Sequence, residues 1–157
     1  MSVLAESFAA ADELEYRSVD TLDPTRPQLT FLECVFPAVL WLDGNQLGKT
    51  LGLMTDLIYR ARGRHPYQFV PPAPISMMLL GVSHEQMGRA DGPMEKLYQL
   101  LPREEVDWDV TSFVRGKGFR GKPPVVLFKN GSTINFGTFN QPVETLAGPT
   151  LQHIGSD

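Results

Sequence analysis

Apolar residues fall along this chain in two rhythms. Short unbroken runs alternate with stretches in which they recur every three to four positions. Ala38-Val39-Leu40-Trp41-Leu42 is an unbroken run of strand length. It leads through a polar turn into Leu51, Met54, Leu57 and Ile58, the one-face spacing of a helix over residues 49–61. Residues 75–82 form a second run, Ile-Ser-Met-Met-Leu-Leu-Gly-Val, of the kind expected for a strand of a parallel sheet covered on both faces. Ser83 and Gln86 then stand at capping-box spacing and start a short helix. Pro93 opens another, which places Leu97, Leu100 and Leu101 inward and ends at Pro102. Asn130-Gly131 separates Val125-Val126-Leu127-Phe128 from a run in which Ile134 and Phe136 alternate with polar neighbours, which marks a hairpin. Residues 151–157 are a short, weakly apolar run that closes on Asp157.

The intervening stretches are less patterned. Residues 3–17 are rich in Ala and Glu and suit a helix. Residues 21–28 read as a turn-rich connector, and Gln28-Leu29-Thr30-Phe31-Leu32 begins a short apolar segment closed by Pro37. Residues 103–124 read as a polar loop, and residues 140–150 are turn-rich again. There is no internal repeat. The order strand–loop–helix, strand–helix, hairpin, strand predicts an α/β sandwich.

A length of 157 residues suits one domain. With 42% hydrophobic and 20% charged residues the chain reads as globular, not disordered. A net charge of −4 argues against a surface wholly coated for nucleic acid but leaves room for a local basic patch. The charge is unevenly spread. Residues 1–23 hold six acids against Arg17, a net charge of −5, and read as an acidic helical leader before a domain over residues 24–157. Arg115, Lys117, Arg120 and Lys122 place four cations around Phe119, a basic loop whose chemistry suits phosphates of nucleic acid or of a neighbour's nucleotide. Arg60, Arg62 and Arg64 complement the end of the helix over 49–61, Gly63 is its stop, and His65 has no partner at ligand spacing. Cys34 is the sole cysteine, which excludes an intrachain disulfide and a cysteine-based zinc site. No apolar run approaches the roughly 20 residues that span a bilayer. The N-terminus lacks the basic segment of a secretory signal, so an intracellular location and no membrane partner are expected.

The turn Asp43-Gly44-Asn45-Gln46-Leu47-Gly48-Lys49-Thr50 carries the chemistry. A Gly-rich turn between a buried strand and a helix start points successive N–H groups and the positive helix end at one spot, where an anion is held. Lys49 supplies a cation for the β- and γ-phosphates of ATP, and Thr50 a hydroxyl for Mg²⁺. The spacing is that of a P-loop with an irregular first position, Asp43 standing where glycine is usual. Gln28, just upstream of the first strand, carries an amide with both donor and acceptor, which suits the adenine edge. Hydrolysis further needs an acid at a strand end near Mg²⁺ and a group that orients water. Asp157 is the candidate for the first.

These residues resemble those of large terminase subunits, the DNA-packaging motor ATPases of tailed bacteriophages. Gly44 to Thr50 is similar to the family's deviant P-loop. Gln28 lies where the family has its adenine-contacting glutamine. Residues 75–86 are similar to its second strand and following helix. Gly118 to Pro124, Asn130 to Phe136, Gln141 and Leu146 to Leu151 are similar to the run entering its acidic strand. The likeness runs from about residue 24 to the end. It implies a RecA-like three-layer α/β/α fold, ATP and Mg²⁺, and a nucleotide site of Gln28, Gly44, Asn45, Gln46, Leu47, Gly48, Lys49 and Thr50. It also implies Lys49 and Asp157 as catalytic residues, and Thr50 and Asp157 as metal-binding ones. The implied partners are double-stranded DNA, a portal, a small terminase subunit and, in the full-length protein, copies in a ring. The implied location is the cytoplasm of an infected or lysogenic bacterium. Three departures qualify the likeness. Asp43 sets a carboxylate near phosphates, Asn45 stands where some members have arginine, and the catalytic glutamate and nuclease domain that would follow Asp157 are not in this sequence. Phosphate binding without efficient turnover is therefore expected. A non-catalytic module that binds DNA or motor subunits, and another helicase-like P-loop ATPase, are the alternatives.

Overall fold

The apolar run Met77-Met78-Leu79-Leu80 belongs between two neighbouring strands, and that is where it lies, with Met77, Met78 and Leu79 buried. A computed structural model describes residues 18–36, 39, 48–142 and 151–156. The expected helix over 3–17, the strand over 38–42 (except Val39), Gly44, Asn45, Gln46, Leu47 and Asp157 fall outside the described residues.

The chain forms α1 (Arg26–Leu32), α2 (Lys49–Ala61), β1 (Ser76–Gly81), α3 (His84–Gly88) and α4 (Pro93–Leu100). Then follow β2 (Ser112–Val114), β3 (Gly118–Arg120), β4 (Val125–Leu127), β5 (Thr133–Thr138) and β6 (His153–Ser156). The main sheet has the order β4-β5-β1-β6. β1 runs parallel to β5 and to β6, so Leu79 lies beside Phe136 on one side and Gly155 on the other. β4 is antiparallel to β5, joined through Asn130-Gly131 with Gly131 at φ +88°. This is a mixed α/β architecture with a mostly parallel sheet.

Local signals account for several boundaries. Ser83 Oγ accepts the N–H of Gln86 at 3.1 Å and starts α3. Gly63 at φ +67° ends the run of α2, where a side chain would be strained. Two expectations are corrected. The end of the connector, read over 21–28, and the apolar segment after it together form α1, which is capped by Thr25 and has Pro27 in its first turn. Here Gln28 Oε1 accepts the N–H of Thr25 at 2.9 Å. Proline costs nothing at that position, because a first-turn N–H has no intrahelical acceptor. The stretch read as a polar loop, 103–124, contains a short 3-10 turn (Arg103–Glu105) and the antiparallel pair β2–β3. Strands of three residues carry too little alternation to be read from pattern.

The core lies on one side of the main sheet. Leu97 and Leu100 of α4 are buried with Met54, Leu57 and Ile58 of α2. Met87 of α3 sits against Gly81. A column of rings holds the β2–β3 pair: Tyr98 stacks on Phe113 at 4.2 Å, Phe113 meets Phe119 edge-on at 5.1 Å, and Phe119 stacks on Phe136 at 5.4 Å. On the opposite face, Val82, Phe139 and Ile154 are each more than half exposed. Of the three layers expected, the described residues supply the sheet and one cover.

This asymmetry has a measurable consequence. Leu79→Ala, at a fully buried position in the central strand, is expected to lower unfolding free energy by about 2–5 kcal/mol. Val82→Ala, three residues on and half exposed, is expected to change it by less than about 0.5–1 kcal/mol. Urea denaturation of the two variants checks the contrast.

Candidate functional site

Three contacts fix the direction of α2 against the sheet. At its C-terminal end, Asn130 Nδ2 donates to the carbonyl of Ala61 at 2.9 Å, and Asn130 lies in the turn just before β5. In its middle, Asp56 receives a hydrogen bond from His153, the first residue of β6. Nearer its N-terminus, Leu53 lies against Gly155, where an added Cβ would come within 2.9 Å of Leu53 Cδ1. The helix therefore runs antiparallel to β5 and β6. Its N-terminus, with Lys49 and Thr50 in the first turn, points to the carboxyl edge of the parallel strands. Ligands of open α/β sheets bind at that edge.

Gly48 starts α2 in the left-handed conformation, φ 74° and ψ 27°. A left-handed residue followed directly by helical ones turns successive N–H groups toward a common concavity, the geometry of an anion nest, and the helix dipole adds to it. Only glycine suits this position, for conformation and for space. A Cβ on Gly48 would collide with the amide of Gln28. The Gly48 carbonyl accepts the N–H of Gly52 at 2.9 Å and the Gln28 Nε2 at 3.0 Å.

Gln28 is buried, and its amide is engaged at both ends, Oε1 by Thr25 and Nε2 by Gly48. The structure thus brings Gln28 to the start of α2, together with Gly48, Lys49 and Thr50. Ser156, the last described residue of β6, ends on the same carboxyl edge and directly precedes Asp157. Arg115, Lys117, Arg120 and Lys122 are not part of this group. They are exposed on and around the β2–β3 turn, and Phe119 between them is buried against Phe136. The aromatic of the basic segment is thus a core residue.

Sequence reasoning missed the polar centre behind the site. Asp56 is almost fully buried on α2. Its Oδ2 receives Arg60 Nε at 2.8 Å and His153 Nε2 at 3.2 Å, and its Oδ1 receives His65 Nε2 at 3.1 Å. His65 Nδ1 accepts the N–H of Tyr67 at 3.2 Å, which leaves the ring hydrogen on Nε2, facing Asp56. That tautomer makes His65 a donor and opposes a metal at the same nitrogen. Burial alone would raise the Asp56 pKa. Hydrogen bonds from His153, His65 and Arg60, with the charge of Arg60, outweigh it and hold the carboxyl well below the usual range. The spacing from Asp56 to Arg60 is visible as an i,i+4 pair. The two histidines arrive from a loop and a distant strand, at no spacing a motif records. Beyond the helix end, Arg62 binds Asp20 with both terminal nitrogens, at 2.6 and 2.8 Å, and Glu105 with Nε at 3.0 Å. The basic stretch after α2 is therefore largely engaged in ion pairs.

Among the described residues no group of three or more His, Cys, Asp or Glu could hold a metal ion, and no helix is long and apolar enough to cross a membrane.

The Asp56 cluster predicts a pH dependence with a definite sign. A carboxyl whose folded pKa lies below its unfolded value of 3.8 stabilises the fold above that value and loses this contribution as pH falls below it. Asp56→Asn is expected to cost about 3–5 kcal/mol at pH 7, as does removal of one partner from a buried ionic cluster. The gap between variant and wild type should close progressively below about pH 4. Denaturant titrations from pH 7 to pH 3 check both statements.

Comparison with family models, curated proteins and solved structures finds no match to this chain.

Proposed function

We propose that the chain is the ATP-binding part of a P-loop motor of the DNA-packaging type, with a RecA-like sheet. One observation carries the reading: left-handed Gly48 opens directly into α2, and α2 points its N-terminus, with Lys49 and Thr50, at the carboxyl edge of a parallel sheet. On this reading the nest and first-turn amides hold phosphate oxygens. Lys49 places its ammonium against the β- and γ-phosphates. Gly44, Asn45, Gln46 and Leu47 complete the loop. Mg²⁺ prefers hard oxygen donors, and the Thr50 hydroxyl and the Asp157 carboxylate are the residues that would hold it. The residues of this chain bind and orient phosphates.

Double-stranded DNA, a portal, a small subunit, a ring of copies and a phage-infected bacterial cytoplasm are proposed on the terminase resemblance alone. One observation bears independently on nucleic acid. Lys117, Arg120 and Lys122 are exposed and form no ion pair among the described residues, whereas Arg60, Arg62 and Arg64 are all paired. The column of buried rings fixes the strands that carry them. Gly88, at the end of α3, backs onto the Lys117 carbonyl, which sets exposed Arg89 beside the same turn. With Phe119 buried, such a surface reads phosphates and not bases.

Equilibrium binding of Mg-ATP is the test of the nucleotide site. Lys49→Ala is expected to weaken binding about tenfold to a hundredfold, the loss of one charge-assisted contact. Equal affinity in both proteins, or none in either, would sink the claim. For the basic surface, duplex DNA affinity is expected to fall with salt. The triple variant K117A/R120A/K122A should flatten the log–log salt slope by about 2–3. An unchanged slope would remove the hairpin from the interface.

A further inference from the structure

Gln28 donates a hydrogen bond to the start of α2, at the Gly48 carbonyl. That atom lies in the one residue whose left-handed conformation makes the nest. The amide is held from behind as well, since its Oε1 is fixed by the N–H of Thr25 at the start of α1. The side chain is buried and packed so closely over Gly48 that no Cβ fits beneath it. Gln28 is therefore a strut between the beginnings of two helices. One end is anchored on α1, and the other presses on and bonds to Gly48.

We infer that Gln28 is a positioning residue for the phosphates: it holds Gly48 in the left-handed conformation and does not select the base of the nucleotide. The physical argument concerns what the peptide after Gly48 would otherwise do. A left-handed residue has other open basins, above all when it is glycine. Fixing its carbonyl by a second donor, besides the helical N–H of Gly52, restricts rotation of that peptide. The N–H on the same peptide belongs to Lys49, and it is one of the groups that face the anion. Gln28 thus orders a donor it never touches, before a ligand arrives, and part of the ordering cost of binding is removed. A base-reading glutamine would need its amide edge open to the ligand. Here both ends are engaged with the backbone, and the side chain is buried.

The inference rests on the phosphate-site reading above, and the two fail differently. The experiment measures affinity for Mg-ATP, Mg-GTP and Mg-tripolyphosphate in wild type and in Gln28→Met, a near-isosteric change that removes both hydrogen bonds. Thermal melting of each protein accompanies it. The expected result is a loss of about fivefold, the scale of one neutral hydrogen bond, equal for all three ligands, including the one with no base. Loss confined to ATP would overturn the inference in favour of adenine reading. No loss for any ligand in a folded variant would overturn it too. Wild type that binds none of the three would overturn the phosphate site itself and this inference with it. If Gln28→Met does not fold, Gln28→Glu serves, because it keeps the acceptor for Thr25 and loses the donor to Gly48. The same equal loss across the series is expected, and a loss that differs between ATP and tripolyphosphate overturns the inference.

Discussion

A carboxylate cut off from solvent is tolerable only if donors replace the water it has lost. Asp56 is such a group. Its three donors come from its own helix, from the loop that follows and from strand β6. The charge therefore does more than sit in the core. It makes the placement of α2 against β6 a matter of hydrogen-bond geometry, which tolerates errors of tenths of an ångström, where apolar packing alone is more forgiving. The parallel ladder from β6 through β1 to β5 then carries that placement across the sheet. The position of the helix start at the carboxyl edge follows from both.

Much of this framework was readable in the sequence. The spacing of Leu51, Met54, Leu57 and Ile58, the run over 75–82, the Ser83 cap, Pro93 and the Asn130-Gly131 turn each carry a strong local signal, and each marks the kind of element expected, although the strand within 75–82 is covered on one face only among the described residues. What escaped was of two kinds. Some elements are too short for periodicity, such as β2 and β3. Helix α1 had a legible start, Thr25-Arg26-Pro27-Gln28, with a capping-box residue three positions after the cap, but two prolines nearby read as breakers. Other features depend on distant pairs. His65 has no meaning beside Pro66 until the chain turns back on α2, and His153 has none until β6 joins the sheet. The candidate site divides in the same way. Gly48, Lys49 and Thr50 were legible as a motif. The engagement of Gln28 with Gly48, twenty residues away, was not.

The basic segment shows how one residue can change the meaning of its neighbours. As sequence, Phe119 among four cations reads as part of a polar loop that contacts phosphates. In the fold that ring lies between Phe113 and Phe136. Burying it anchors the strands to the core. The cations are thereby held on a fixed support, with less conformational freedom to lose on contact with a partner than they would have on a loose loop.

Helix α2 is secured along its whole length: at Ala61 by Asn130, at Asp56 by His65 and His153, at Leu53 by Gly155, and at Gly48 by Gln28. A helix held at one level can absorb an inserted residue by sliding or turning. Each added residue advances a helix by about 1.5 Å and rotates it by about 100°, and here no such shift satisfies all four levels at once. The thirteen residues of α2 are thus a fixed measure between the Asn130 turn and the carboxyl edge. Related chains should vary in α2 by substitution, and carry their insertions and deletions elsewhere.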